Sequence, residues 1–302
     1  MNVSVHVPVL QDEVVALLRP RPTGRYLDVT IGLGGHAEAI LRASEPTGTL
    51  LGIDRDGEAL TLARKRLTSF GGRVTTMHGR YEALGKLVGP ASRFDGILFD
   101  LGASSLQMDD AERGFSFLRP GPLDMRMDRG AGRTAADLLG ELTEEELADL
   151  IFQWGEERWS RRIARAIVAA RQAAPIATTT DLATVVGRSI PRRLWPRHIH
   201  PATRTFQALR IAVNEEVAGL GPALEAATRL LAPGGRVAVI SFHSLEDRTV
   251  KQTWRHLEAA GGLRIVTKRP ITPGTDEQHA NPRSRSAKLR AVEQPIAPSE
   301  VD

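Results

Sequence analysis

Along the first hundred residues, short apolar runs closing on a polar side chain alternate with amphipathic stretches. Tyr26-Leu-Asp28, Thr49-Leu-Leu-Gly-Ile-Asp54, Arg73-Val-Thr-Thr-Met-His78 and Phe94-Asp-Gly-Ile-Leu-Phe-Asp100 read as strands. Helical spacing covers residues 12–18, where Pro20 and Pro22 stop it, and then residues 37–41 and 57–67. Residues 6–10 read as a short extended piece. Strand–helix alternation predicts an α/β fold with a doubly wound parallel sheet. Ligands of such sheets sit at the carboxyl ends of the strands. Asp28, Asp54, Tyr81 and Asp100 fall on that edge.

The rhythm breaks near Ser105, and no buried-strand pattern returns before His200. Residues 109–132 are loop-like. Thr143-Glu-Glu-Glu146 is a capping box opening a helix with Leu147, Leu150, Ile151 and Trp154 on one face. Residues 158–174 form another helix. The pattern predicts residues 1–105 as the first part of the sheet domain, 106–200 as an inserted, mainly helical domain, and 201–302 as the second part of the sheet domain. In that last part, a helix over 203–217 carries Phe206, Leu209 and Val213. Pro233-Gly-Gly235 then turns the chain into a fifth strand over 236–242. Residues 263–268 and 287–292 read as a final antiparallel pair. The polar piece between them, with Pro273, Gly274, Asn281 and Pro282, is expected to be mobile without a ligand.

Composition narrows the chemistry. The 302 residues contain no cysteine, which excludes a thiolate nucleophile or zinc site and suits a cytosolic setting. No signal peptide is evident at the amino terminus, and no apolar stretch is long enough to cross a bilayer. The net charge of +4 is modest, but its distribution is not. From Arg158 to Arg210 every basic side chain except the histidines is arginine, and the only acid is Asp181. This points to nucleic acid, with Arg161, Arg162, Arg165, Arg192, Arg193, Arg197 and Arg204 as phosphate contacts. Trp195, His198 and His200 lie among them as candidates to stack on bases. The plainer alternative is a solvated helix face paired with the acids of 141–149 and with Glu156 and Glu157.

Gly32-Leu-Gly-Gly-His36 follows the first strand and leads into a helix, so backbone approaches something closely there. Asp54, ending the next strand, is placed to accept hydrogen bonds from a ribose diol. A nicotinamide dinucleotide or S-adenosylmethionine fits this pair. The dinucleotide fingerprint is broken at its third glycine, where Ala37 stands. For amine methylation, Asp100 with its turn Leu101-Gly-Ala-Ser-Ser105 is a candidate proton acceptor. Ser104 and Ser105 alternatively cap the next helix. His243, in Ile240-Ser-Phe-His-Ser-Leu-Glu-Asp247, either meets the substrate base and takes a proton or is hydrogen-bonded to Glu246 or Asp247. No compact His/Asp/Glu cluster in the sequence predicts a catalytic metal.

Longer motifs are spread over nearly the whole chain: His6-Val-Pro-Val-Leu10, Gly34-Gly-His36, Asp100-Leu-Gly-Ala-Ser-Ser-Leu-Gln107, Arg113-Gly-Phe-Ser-Phe117, Gly121-Pro-Leu-Asp-Met-Arg-Met127, Glu156-Glu-Arg-Trp-Ser-Arg-Arg-Ile163, His200-Pro-Ala-Thr-Arg-Thr-Phe-Gln-Ala-Leu-Arg210, Val239-Ile-Ser-Phe-His-Ser-Leu-Glu-Asp-Arg248 and Asn281-Pro-Arg-Ser-Arg-Ser-Ala-Lys-Leu-Arg290. In them the chain resembles the bacterial small-subunit ribosomal RNA cytosine-N4 methyltransferases, the RsmH or MraW family. The resemblance implies a class I, Rossmann-like S-adenosylmethionine-dependent methyltransferase fold with an inserted helical domain. It implies as acceptor the N4 of a decoding-centre cytosine in 16S rRNA of the assembled small (30S) subunit. Carried over by motif, the cofactor contacts are Gly34, Gly35, His36, Asp54, Asp100 and Gln107. Tyr81 stands where the family more often has phenylalanine to face the adenine. Many amino-methyltransferases end the fourth strand in Asn/Asp-Pro-Pro-Tyr; this chain has Asp100-Leu-Gly-Ala. The rivals are a dehydrogenase and a non-catalytic ribosome-assembly factor with a nucleoside pocket.

Overall fold

The computed structural model describes residues 8–296. His6 and Val7 of the extended piece lie outside them. In chain order come α1 (Gln11–Leu18), β1 (Arg25–Asp28), α2 (Gly35–Ala43), β2 (Thr49–Asp54), α3 (Gly57–Arg66), β3 (Val74–His78), α4 (Leu84–Leu87) and β4 (Phe94–Asp100). Then come α5 (Ser105–Asp109), α6 (Ala135–Glu141), α7 (Glu144–Gly155), α8 (Ser160–Ala173), α9 (Thr179–Ser189) and α10 (Thr203–Asn214). The chain closes with α11 (Leu220–Arg229), β5 (Leu231–Ser241), α12 (Ser244–Ala259), β6 (Arg264–Ile265), α13 (Thr275–Ala280) and β7 (Lys288–Glu293).

The described residues fall into two compact units, up to Gly102 together with the chain from Val217, and Ala103–Glu216. The first unit is a seven-stranded sheet of order β3-β2-β1-β4-β5-β7-β6. β1 pairs in parallel with both β2 and β4, and only β7 runs antiparallel, against β5 and β6. Strand order therefore reverses between β1 and β4, which is where open α/β sheets bind ligands. Period-two alternation feeds a core on each face. Leu27, Ile97, Phe99, Val237 and Val239 pack with Leu220, Leu224, Val250 and Trp254. Tyr26, Leu98, Ala238 and Ile240 pack with Val14, Leu18, Ile40, Leu41 and Leu60.

Two details of this unit differ from expectation. The Pro233-Gly-Gly235 turn lies inside β5: Phe94 pairs with Leu231 but Gly96 with Arg236, and the extra residues are taken up as an irregularity. Strand pairing on both sides of the turn outweighs the local breaker. The segment expected to be mobile is built into α13 and a following 3₁₀ turn over Pro282–Ser286, with Ser284 fully buried. The Leu10 N–H donates to Glu277 Oε1 at 2.8 Å, tying this piece to the start of the chain.

The second unit is helical. Thr143 caps α7 as its sequence demands: the Glu146 N–H donates to Thr143 Oγ1 at 3.2 Å and the Thr143 N–H to Glu146 Oε2 at 2.8 Å. Its core joins Leu147 and Ile151 of α7, Ile163 and Ile167 of α8, and Leu182 and Val186 of α9. Phe206 and Leu209 of α10 belong to the same core. The expected return to the sheet domain at residue 201 is therefore placed too early; α10 completes the helical unit, which runs to Glu216. Gly155 lets the two helices meet, since a Cβ there would come within 2.6 Å of the Arg204 carbonyl oxygen. Asn214 pins the loop before α6, accepting from the Met127 N–H and donating to the Met125 carbonyl, each at 2.8 Å. Fully buried Arg113 holds the same loop through the Met127 carbonyl at 2.9 Å.

Candidate functional site

The carboxyl edge of the first unit is lined with acids. Asp28 closes β1 and is buried, its Oδ1 accepting from the Thr30 N–H at 3.1 Å. The Thr30 hydroxyl oxygen in turn accepts from the Asp100 N–H at 2.6 Å. Thr30 thus ties the ends of β1 and β4 across the point where strand order reverses. Sequence reading passed it over, although a hydroxyl two residues beyond a strand-ending acid is a common turn device.

Asp54 holds the glycine loop in place. Its Oδ2 accepts from the Gly32 N–H at 2.7 Å and its Oδ1 from the Asp56 N–H at 2.9 Å. Each carboxylate oxygen keeps further acceptor capacity for a ligand hydroxyl. Around Gly32, at φ +51°, the nearest atom to an added Cβ is the Thr30 carbonyl oxygen at 3.8 Å, so the backbone is open to an approaching group. Gly34 caps α2 at φ +80°, and Gly35 begins that helix. The space beside Gly35 is taken by Pro8, whose Cγ would lie 2.5 Å from an added Cβ. Packing within the fold therefore accounts for Gly35, and open access for Gly32.

His36, in the first turn of α2, is buried with Nε2 3.6 Å from Asp100 Oδ2. The other oxygen of Asp100 is buried with no hydrogen-bond partner among the described residues. Burial, then the Asp28 carboxylate, then Glu246 push the Asp100 carboxyl well above the usual range. Burial also raises Asp28 to about 7 and lifts Asp54. Tyr81 follows β3, its ring buried and edge-on to Phe99 with centroids 6.1 Å apart.

At the end of β5, His243 caps α12. Its Nδ1 accepts from the Glu246 N–H at 3.4 Å, and its Nε2 lies 3.1 Å from Glu246 Oε1. Glu246 Oε2 accepts from the Phe242 N–H at 2.8 Å. The hydrogen bond at Nδ1 sets His243 at the start of α12 beside Glu246. Asp247 instead pairs with Arg290 at 2.7 Å and Lys288 at 3.2 Å.

In the second unit, Ser104 caps α5: the Gln107 N–H donates to Ser104 Oγ at 3.3 Å and the Ser104 N–H to Gln107 Oε1 at 2.9 Å. Gln107, expected at the cofactor, is buried and shapes this helix start. The arginines divide. Arg161, Arg162 and Arg165 stand exposed on α8, and Arg158 is exposed just before the helix begins. Arg192, Arg193, Arg197 and Arg204 are also exposed. Of the expected acidic pairings, Arg165 lies 3.4 Å from Glu144; Arg204 donates instead to the backbone carbonyl of Glu156 at 3.0 Å. Arg161, Arg162, Arg193 and Arg197 make no ion pair among the described residues. Trp195 and His200, expected to stack on bases, pack inward. Their rings sit 5.4 Å apart, His200 lies 4.9 Å from Phe117, and the Trp195 indole donates to the Ile190 carbonyl at 3.0 Å.

Comparison with known proteins shows the family. The model of the MraW methylase family matches residues 3–295. The Ribosomal RNA small subunit methyltransferase H of Citrifermentans bemidjiense is 51% identical over 95% of this chain and 98% of its own length. Its counterpart from Nitrobacter hamburgensis is 50% identical over 98% of this chain and 93% of its own. Among solved structures, an rRNA methylase from Streptococcus thermophilus aligns at TM-score 0.43 and 11% identity, covering 94% of each chain.

Proposed function

The chain belongs to the MraW methylase family, and on that premise we infer that it transfers a methyl group from S-adenosylmethionine to 16S rRNA of the small ribosomal subunit. The acceptor is the exocyclic N4 of a decoding-centre cytosine, presented by an assembled 30S subunit in the cytoplasm. Among the described residues no helix is long and apolar enough to cross a membrane, in keeping with that setting.

One observation carries the choice of cofactor: Asp28, Asp54 and Asp100 share a desolvated edge where burial raises the proton affinity of each, and Asp28 also feels the Asp54 charge and Asp100 the Asp28 charge. A cation relieves that repulsion, and the pyrophosphate of a dinucleotide aggravates it. S-adenosylmethionine is cationic at its sulfur and amine, so the residues fit it and disfavour the dehydrogenase. When bound, it supplies an electrophilic methyl group that needs no covalent help from the protein.

The chain's own groups then have separate tasks. Asp54 accepts from the ribose hydroxyls, and the open backbone at Gly32 gives the cofactor room. Tyr81 bounds the adenine end. Asp100 accepts a hydrogen bond from the cytosine amine and takes its proton as the new bond forms. His243, its Nδ1 bonded to the Glu246 N–H, positions Glu246 and the start of α12 and leaves the proton to Asp100. The arginines of the second unit hold phosphates.

The test is transfer of labelled methyl to small subunits lacking their native modification, with naked rRNA and DNA alongside and nucleoside mass spectrometry after digestion. N4-methylated cytidine from the subunits alone is expected. Donor binding without transfer to any of the three would sink this reading and leave the assembly-factor role.

A further inference from the structure

On the α12 face of the sheet, at the β6–β7 edge, lies a recess of about 190 Å³ lined by Lys251, Arg255, Lys268, Arg269, Arg290 and the Trp254 ring, with no carboxylate in its wall. Lys251 and Arg255 stand one turn apart on α12, a spacing at which like charges repel. Lys268 and Arg269 come from the loop after β6 and face the same hollow. All four are exposed, and among the described residues none has a carboxylate partner.

The acids on the neighbouring elements are already engaged. Asp247 holds Arg290 and Lys288, Glu293 holds Arg236 and Arg264, the Ile265 N–H donates to Glu258 at 2.8 Å, and Glu246 faces His243. The fold thus neutralises the buried arginine of the recess and leaves four rim cations uncompensated around a concavity. Its volume is that of about six waters, room enough for a phosphate group.

We propose that this recess binds a phosphodiester of the RNA substrate, making the methyltransferase unit itself a second backbone contact independent of the arginine stripe on α8. The proposal rests on the reading of the chain as an rRNA methyltransferase. Position supports it. α12 starts with the His243 cap at the carboxyl edge, and Lys251 is eight residues further on, about 12 Å along the helix. A strand whose target nucleotide sits at that edge passes the recess within a few phosphates. Cations of this kind set register on the backbone and carry no base information.

Two measurements test it. Lysine acetylation footprinting, with and without a decoding-region RNA, should show Lys251 and Lys268 protected about tenfold by RNA and unprotected by inorganic phosphate at equal phosphate concentration. No protection by RNA, or equal protection by inorganic phosphate, would overturn the proposal, the second outcome making the recess a free-phosphate site. The variant Lys251→Gln, Arg255→Gln, Lys268→Gln, Arg269→Gln should bind the same RNA at least tenfold more weakly. Its dependence of log K on log salt should be shallower by about 0.7, the loss of one phosphate contact on a single strand. Its affinity for S-adenosylmethionine should not change, and the charge-keeping variant Lys251→Arg, Arg255→Lys, Lys268→Arg, Arg269→Lys should keep the wild-type slope. An unchanged slope and affinity would end the proposal. RNA binding is read without turnover, so absence of methyl transfer in the wild-type protein would count against the enzymatic reading alone.

Discussion

In the sheet unit the charges that matter are under the surface: Asp28 and His36 are buried, and Asp100 holds one oxygen out of reach of water. In the helical unit the corresponding charges stand in solvent, on Arg161, Arg162, Arg165, Arg193 and Arg197. The difference separates two kinds of recognition. Desolvated carboxylates interact strongly, respond to pH and are little screened by salt. Exposed arginines are weak one by one, act as a field, and fade as salt rises. The first arrangement suits a small cation held in one pose, the second a long polyanion held in register.

The sharpest way to break this contrast is at Asp100. Asp100→Asn keeps the shape and removes the proton acceptor, so single-turnover methyl transfer should slow by about 10³-fold, within the range for general-base catalysis. Donor affinity measured by calorimetry should move far less. Next, Asp54→Ala should weaken S-adenosylmethionine binding about 100-fold, because two charge-assisted hydrogen bonds are lost. An unchanged dissociation constant would remove the ribose role.

Asp28 gives the pH signature. Its carboxyl goes from 3.8 to about 7 on folding, so across that window the folded chain keeps a proton that the unfolded chain has lost. The group's stabilisation is full below the unfolded value, declines as pH rises through about 7, and is on the order of a few kcal/mol. Thermal melts across this range should show the decline, Asp28→Asn should flatten it, and saturating donor should also flatten it.

Smaller effects belong to the second unit. Replacing Arg161, Arg162 and Arg165 with glutamine should weaken RNA binding about tenfold and reduce the salt slope by about 2, with donor affinity intact. Smallest of all, Ser104→Ala should cost about 1 kcal/mol. Hydrogen exchange should locate the loss in Ser105–Asp109.

Much of the sheet was legible before any coordinates. Each apolar run that ended on Asp28, Asp54 or Asp100 is a strand, because strand periodicity and a terminal acid are local features. The capping box at Thr143 was legible for the same reason. Trp195 and His200 were misjudged because composition shows an aromatic residue beside arginines without showing which way its ring turns. His243 offered two readings in sequence, and its place as the cap of α12 beside Glu246 is visible only in the fold.

The sequence by itself determined the order of strands and helices, the acids at the strand ends, the glycine loop, the arginine-rich span and the family. Those properties reside in short stretches whose spacing is set by backbone geometry. Tertiary structure alone decided that α10 belongs with the helical unit, that Thr30 bridges Asp28 and Asp100, and that Pro8 fills the space beside Gly35. It alone brought residues 251–255 and 268–269 around one recess. These outcomes depend on groups far apart in the chain, and burial and contact are not written in any single segment.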